Sequence, residues 1–213
     1  AISGDFAEIG GIVGHFDGGS SKSYVQNCLI YGAITCVGTT TRVLSIGGIL
    51  GYAAYGTNNL ENCNSVGKIS LATTTSINYI GSIVGYADSA ATNISHCYWT
   101  SNVGYDNVYG SGSPAVTETS LASVNTATLD SLNNYATTKN WNKWLLNANS
   151  RSVTFKVNNG KPFSISSQLI LLPSLAESKN HTFSGWFEDE EWIKEFTSFS
   201  ISAGTTLYGG WAY

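Results

Sequence analysis

The groups in this 213-residue chain that could do chemistry are four cysteines, three histidines and fourteen carboxylates, and the cysteines carry a regular spacing. Cys28, Cys63 and Cys97 lie 35 and then 34 positions apart, each behind a polar pair: Gln26-Asn27, Glu61-Asn62 and Ser95-His96. Thiols on one period have three uses. They can stack as an interior column of small buried hydrophobes, a common fate of free cysteine. They can form a disulfide, Cys28 with Cys36 or with Cys63, because α-carbons one strand spacing apart fall inside the bonding window. Or one can be a nucleophile, which needs an imidazole or cationic partner that does not recur beside them. Zinc is not expected, since there is no CxxC and no Cys/His ligand spacing.

Oxygen and ring chemistry is sparser. Glu188-Asp189-Glu190-Glu191 concentrates four carboxylates that either hold Ca²⁺ or are simply solvated in a loop. Glycoside hydrolysis needs paired carboxylates, yet residues 1–110 hold six acids and three bases (Lys22, Arg42, Lys68), none recurring as a cluster. No catalytic residue, metal site or cofactor is therefore expected. Tyr52 and Tyr86 occupy one repeat position and, with Tyr98 and Trp99, are the aromatics available to bind a glycan or a protein. Asn93 and Asn180 open Asn-x-Ser/Thr triplets, glycosylation acceptors if the source is a secreting eukaryote.

What must position these groups is a repeat. Ile9-Gly10-Gly11-Ile12-Val13-Gly14 returns as Ile46-Gly47-Gly48-Ile49-Leu50-Gly51 and as Ile80-Gly81-Ser82-Ile83-Val84-Gly85, 37 and then 34 residues on. Self-similarity at this period signals stacked units. Branched residues bracketed by glycines read as short strands with corners, and polar turns such as Asp17-Gly18-Gly19-Ser20 separate them. Parallel stacking would place Ile12, Ile49 and Ile83 inside, align Cys28, Cys63 and Cys97, and let Asn27 and Asn62 bond amide to amide. Residues 1–110 are expected to form a parallel β-helix-like solenoid of three repeats.

These motifs, with NC and Gly-x-Ile following, resemble the GLUG-motif repeats of bacterial and protist surface proteins and adhesins. The third copy departs, with Ser82 and His96 where glycine and asparagine stood. The resemblance implies a cell-surface, extracellular protein.

Residues 111–150 read as a connector. Ser111-Gly112-Ser113-Pro114 is a turn or linker. Thr126–Ala136 is the best helix candidate, with Leu129, Leu132 and Ala136 on one face. Trp141 and Trp144 then offer apolar surface, either a plug for an open solenoid end or an aromatic sugar platform. Residues 151–213 read as strands at Arg151–Gly160, Ile165–Leu172, His181–Phe187 and Thr205–Trp211. VTFKVNNG, HTFSGWFEDEEW and TTLYGGWAY resemble the Listeria–Bacteroides repeat, a small β-grasp-like module of bacterial surface proteins. The likeness implies structural roles for Trp186, Trp192 and Trp211. Gly209-Gly210 stand where that family has a bulkier pair, which is expected to loosen the last strand.

The totals agree with a packed β protein. Only 11% of residues are charged while 12% are aromatic, the opposite of a disordered composition. Net charge is −4 with ten dispersed Lys and Arg, so nucleic acid, which requires a basic face, is not an expected partner. No run approaches the roughly 20 apolar residues of a membrane-spanning helix. A start at Ala1 without Met suggests a processed chain or part of a longer one. The expected function is a non-catalytic structural or adhesive surface protein that assembles head-to-tail with itself, or stacks on further repeats of a longer chain. The alternatives are a module binding host glycans or proteins and, further off, a β-helix carbohydrate-active enzyme.

Overall fold

The computed structural model describes residues 6–38, 43–73, 77–88, 92–100, 103–112, 114–117, 126–147, 149–157, 161–167, 169–174, 182–201 and 204–212. The chain is mainly β, with parallel sheets and one short helix. It divides into two compact units, residues 1–124 and 125–213.

In the first unit the repeats contribute equivalent short strands, five in each of the first two copies and four in the third. The first copy gives β1 (Phe6–Gly10), β2 (Val13–Phe16), β3 (Lys22–Gln26), β4 (Leu29–Ile30) and β5 (Ile34–Gly38). The second gives β6 (Val43–Gly47), β7 (Leu50–Ala53), β8 (Thr57–Glu61), β9 (Asn64–Ser65) and β10 (Ile69–Thr73). The third gives β11 (Ile77–Gly81), β12 (Val84–Ala87), β13 (Thr92–Ser95) and β14 (Tyr98–Trp99). Equivalent strands pair in parallel, β1-β6-β11, β2-β7-β12, β3-β8-β13, β4-β9-β14 and β5-β10. The register matches motif to motif: Ile9, Ile46 and Ile80 align, as do Gly10, Gly47 and Gly81.

The glycines follow from the corners. A Cβ on Gly10, Gly47 or Gly81 would lie 1.9 to 2.0 Å from the carbonyl oxygen three residues on, so no larger residue can make that turn. The corners are stacked too, with the Ile12 N–H donating to Ile49 O and the Ile49 N–H to Ile83 O, both at 3.0 Å. Between the sheets lies one apolar cluster that includes Leu44, Ile46, Ile49, Leu50, Leu60, Ile83, Val84 and Ile94. Fully burying each such side chain is worth about 1.5–3 kcal/mol.

Two more strands extend the stacks past the third motif. β15 (Tyr109–Gly112) pairs with β12, and β16 (Ala115–Thr117) pairs with β13. Ser111-Gly112 is therefore strand rather than linker. The open edge of β12 supplies partners that override the local turn chemistry, and Gly112 fits because a Cβ there would sit 1.8 Å from Ala87 O. In every stack the first-copy strand is terminal, so among the described residues nothing pairs with the outer edges of β1, β2, β3, β4 and β5.

The second unit opens with α1 (Thr126–Thr138), whose Leu129, Leu132 and Ala136 are buried as their spacing predicts. Two residues past its end, Asn140 takes the left-handed φ of 56° common where helices end. The strands are β17 (Trp144–Asn147), β18 (Val153–Lys156), β19 (Phe163–Ile165), β20 (Leu169–Leu171), β21 (Thr182–Phe187), β22 (Ser200–Ile201) and β23 (Thr205–Ala212). They form two sheets, β20-β17-β22 and β19-β18-β23-β21, the latter with a central parallel pair between antiparallel neighbours. The expected strand Ile165–Leu172 is thus split between sheets. Gly209-Gly210 do not interrupt β23, because the Phe187 ring fills the space a Gly210 side chain would need. The turn residues 158–160 lie outside the described residues. No helix among those described is long and apolar enough to cross a membrane.

Candidate functional site

The cysteine column forms where Asn27, Asn62 and His96 turn the chain. All three take left-handed φ values, 51°, 55° and 51°, a conformation in which asparagine is several-fold enriched. Asn62 Nδ2 donates to Asn27 Oδ1 at 2.8 Å. The corner swings the next side chain inward. Cys28 Sγ then donates to Gln26 O (3.1 Å), Cys63 Sγ to Glu61 O (3.3 Å) and Cys97 Sγ to Ser95 O (3.3 Å).

All four cysteines are free. Cys63 and Cys97 are fully buried, while Cys28, in the first copy, is half-buried. The neighbouring Cys63 thiol, and then burial, push the Cys28 thiol far up, and burial does the same at Cys63 and Cys36. A nucleophilic thiolate needs the reverse shift of the one seen at Cys28 and Cys63. Of the isoleucine ladder, Ile49 and Ile83 are fully buried but Ile12 is 44% exposed. Its place inside requires a neighbour beyond the first copy, and none is among the described residues.

The aromatic residues separate into two environments. Tyr98 and Trp99 are 5% and 3% exposed, so they are not the surface rings a binding role requires. β14 turns both into covered positions. Tyr52 and Tyr86 do come together. His15, Tyr52 and Tyr86 share one register across β2, β7 and β12. Their rings stack at 5.2 Å spacing, with Tyr52 and Tyr86 only 6° from parallel. Both faces of Tyr52 are thus covered, one by His15 and one by Tyr86.

A second column runs beside it: Glu8, Ser45 and Tyr79 on β1, β6 and β11. In the first copy Glu8 Oε2 meets His15 Nδ1 at 2.7 Å. In the third the Tyr79 and Tyr86 rings lie 5.0 Å apart, tilted by 42°. In the second copy the small Ser45 faces Tyr52, and the missing bulk leaves a cleft of about 220 Å³ lined by Ala7, Glu8, Val43, Ser45, Tyr52, Tyr79 and Tyr86. Burial first, then the Asp88 carboxylate, then Tyr86, Tyr55 and Glu8, raise the Tyr52 phenol above its ordinary value. Sequence reasoning found Tyr52 and Tyr86 but not Glu8, Ser45 or Tyr79. The signal was present one position before each Ile-Gly motif, where no like residues repeat.

The remaining candidates are placed as follows. Asn93 is half-buried on β13 and its Nδ2 donates to Asn59 Oδ1 at 3.1 Å, so a glycan there would have to break that ladder bond. Asn180 lies outside the described residues. Asp189, within the acidic run, accepts from the Ile193 and Lys194 amides at 2.8 and 2.6 Å, and Glu188 pairs with Lys194. These carboxylates shape a turn. Among the described residues no group of three potential ligands could hold a metal. Trp144 is fully buried, its backbone bracketed by Asn133 on α1, which accepts from its N–H at 2.7 Å and donates to its carbonyl at 3.0 Å. That excludes it from an exposed platform, while Trp141 packs edge-on against Tyr135. Trp186 is buried against Phe155 and donates to Pro173 O. Trp211 meets Phe183 edge-on, and Trp192 sits at a left-handed φ of 59° in the turn.

No protein-family model matches the chain, and no curated protein or solved structure matches it significantly.

Proposed function

We propose that this is a non-catalytic structural or adhesive protein of a cell surface, built on a β-solenoid and extended by adding repeats to its open first edge. The observation that carries the reading is the set of outer edges on β1, β2, β3, β4 and β5, all at one end of the stacks, that nothing among the described residues pairs with. Unpaired strand edges are templates for further pairing unless something blunts them. Here they stand beside exposed apolar residues of the same copy: Ile12, Tyr24, Tyr31 and Val37. Ile12 occupies the position that is fully buried at Ile49 and Ile83, so an added repeat would give it the environment its equivalents already have.

The occupant is a further repeat, supplied by a second copy of this chain or by further repeats of a longer one. A contact joining unlike surfaces does not close on itself and generates filaments. The parallel register of three copies supports the solenoid reading, and the central parallel pair β18-β23 supports a β-grasp-like second unit. Three of the described first-unit carboxylates, Glu8, Asp17 and Glu61, are engaged by His15, the Gly19 amide and Gln26, uses that shape the surface.

Charge at the edge tests this. Ile12→Glu should abolish concentration-dependent association while leaving the circular dichroism spectrum unchanged. Association that persists undiminished in Ile12→Glu would sink the reading.

A further inference from the structure

The cleft above Ser45 has a chemistry that the assembly reading does not use. The geometry points to a binding site for an alkylammonium group, an ammonium or methylated ammonium carried on an aliphatic stem.

Its construction follows from the register. Glu8, Ser45 and Tyr79 stand at one position of three stacked strands. Adjacent strands lie about 4.8 Å apart, so a group seated over Ser45 lies about 4.8 Å from the level of Glu8 on one side and of Tyr79 on the other. That places it within reach of a carboxylate and inside the roughly 6 Å at which a cation is attracted to an aromatic ring. Tyr52 and Tyr86 close one wall, and Ala7 and Val43 supply apolar surface. The volume, about 220 Å³, suits a small head group rather than an extended chain.

Charge selects among small ligands. Among the described residues no lysine or arginine lines the cleft, and the ionisable ones that do are Glu8 and three tyrosines. Burial, and then nearby carboxylates including Asp88 and Glu8, disfavour a negative charge on Tyr52, and the Glu8 carboxylate in the lining favours a cation over an anion. His15 shares the Glu8 carboxylate from outside the cleft at 2.7 Å and fixes its orientation.

The site can be tested on the whole chain by following tyrosine ring NMR signals during titration. Tetramethylammonium should shift Tyr52 and Tyr79 saturably, and tert-butanol, a neutral molecule of nearly the same shape, should bind at least about tenfold more weakly. Glu8→Gln should weaken tetramethylammonium about tenfold by removing the charge. Ser45→Leu, which fills the void, should abolish binding. Asp130→Asn makes the same charge change in the other unit and should do nothing. Choline and n-butylammonium separate two sources of the shared group: tighter choline binding assigns a choline-bearing head group, tighter n-butylammonium binding a lysine side chain. Equal binding of tert-butanol, displacement by a methyl hexoside, an unchanged Glu8→Gln variant, or no saturable shift would each overturn the assignment.

Discussion

Asn62 donates from its side-chain amide to the Asn27 side-chain oxygen, 2.8 Å away and 35 residues earlier, while both residues hold left-handed backbone angles. One residue type thus solves two problems at the same corner. It tolerates the positive φ, and it links consecutive repeats outside the backbone ladder.

Asn62→Ala should therefore cost about 2–3 kcal/mol, combining left-handed strain with a lost hydrogen bond. Asn62→Gly should cost about 1 kcal/mol, because glycine keeps the backbone angle free of strain. Urea unfolding of the two variants separates these terms. Equal destabilisation by alanine and glycine would show that the corner is not strained.

The isoleucine ladder should be graded by position. Ile49→Ala removes a fully buried side chain and is expected to cost about 2–5 kcal/mol. Ile12→Ala, at 44% exposure, should cost less than about 1 kcal/mol in dilute protein. Similar losses at both positions, measured by the shift in urea midpoint, would contradict the placement of the first copy at an open end.

The thiols give a pH dependence with a definite sign. Cys28, Cys36 and Cys63 are all raised in the folded chain, whereas unfolded thiols ionise near about 8.5. Above that pH the unfolded state loses protons that the folded state keeps, so the stability present below about pH 8.5 declines as pH rises. Under reducing conditions the urea midpoint should fall between about pH 8 and 9.5, and Cys63→Ala should flatten the slope. A thiol reagent should label Cys63 and Cys97 only on unfolding. Rapid labelling of Cys63 in the native state would disprove the buried column.

Asp189 should behave oppositely. The Ile193 amide, helped by that of Lys194, holds its carboxyl below the ordinary value. Its contribution is present above the usual carboxylate range and is lost as pH falls through the lowered value. Carboxyl NMR titration should show Asp189 ionising below the ordinary aspartate value. Titration at the ordinary value would mean that the turn bonds do not persist in solution.

How much of this was legible in the sequence depended on what each motif reports. The glycine-isoleucine copies disclosed the period, the parallel register and the aligned cysteines, because like residues stack on like. The Asn-Cys pair marked a landmark, but its cause, a left-handed corner that turns a thiol back to a carbonyl, is a backbone property that composition does not print. β15 and β16 carry no copy of the motif; they form because β12 and β13 offer edges, and pairing outweighs the turn preference of Ser111-Gly112. The cleft was hidden for a related reason. It arises from a difference between copies, Ser45 where Glu8 and Tyr79 stand, whereas a repeat search looks for sameness. Tyr98 and Trp99 were misplaced because aromatic identity does not report exposure in a strand of two residues.

The central claim is that the outer edge of the first copy is an assembly surface, and the mass and shape of native material test it most directly. Light scattering with negative-stain imaging across a concentration series should show ladders of oligomers or filaments, reduced to single chains by Ile12→Glu. A particle of 22.7 kDa at every concentration, with the first copy ordered and Ile12 open to solvent, would contradict it.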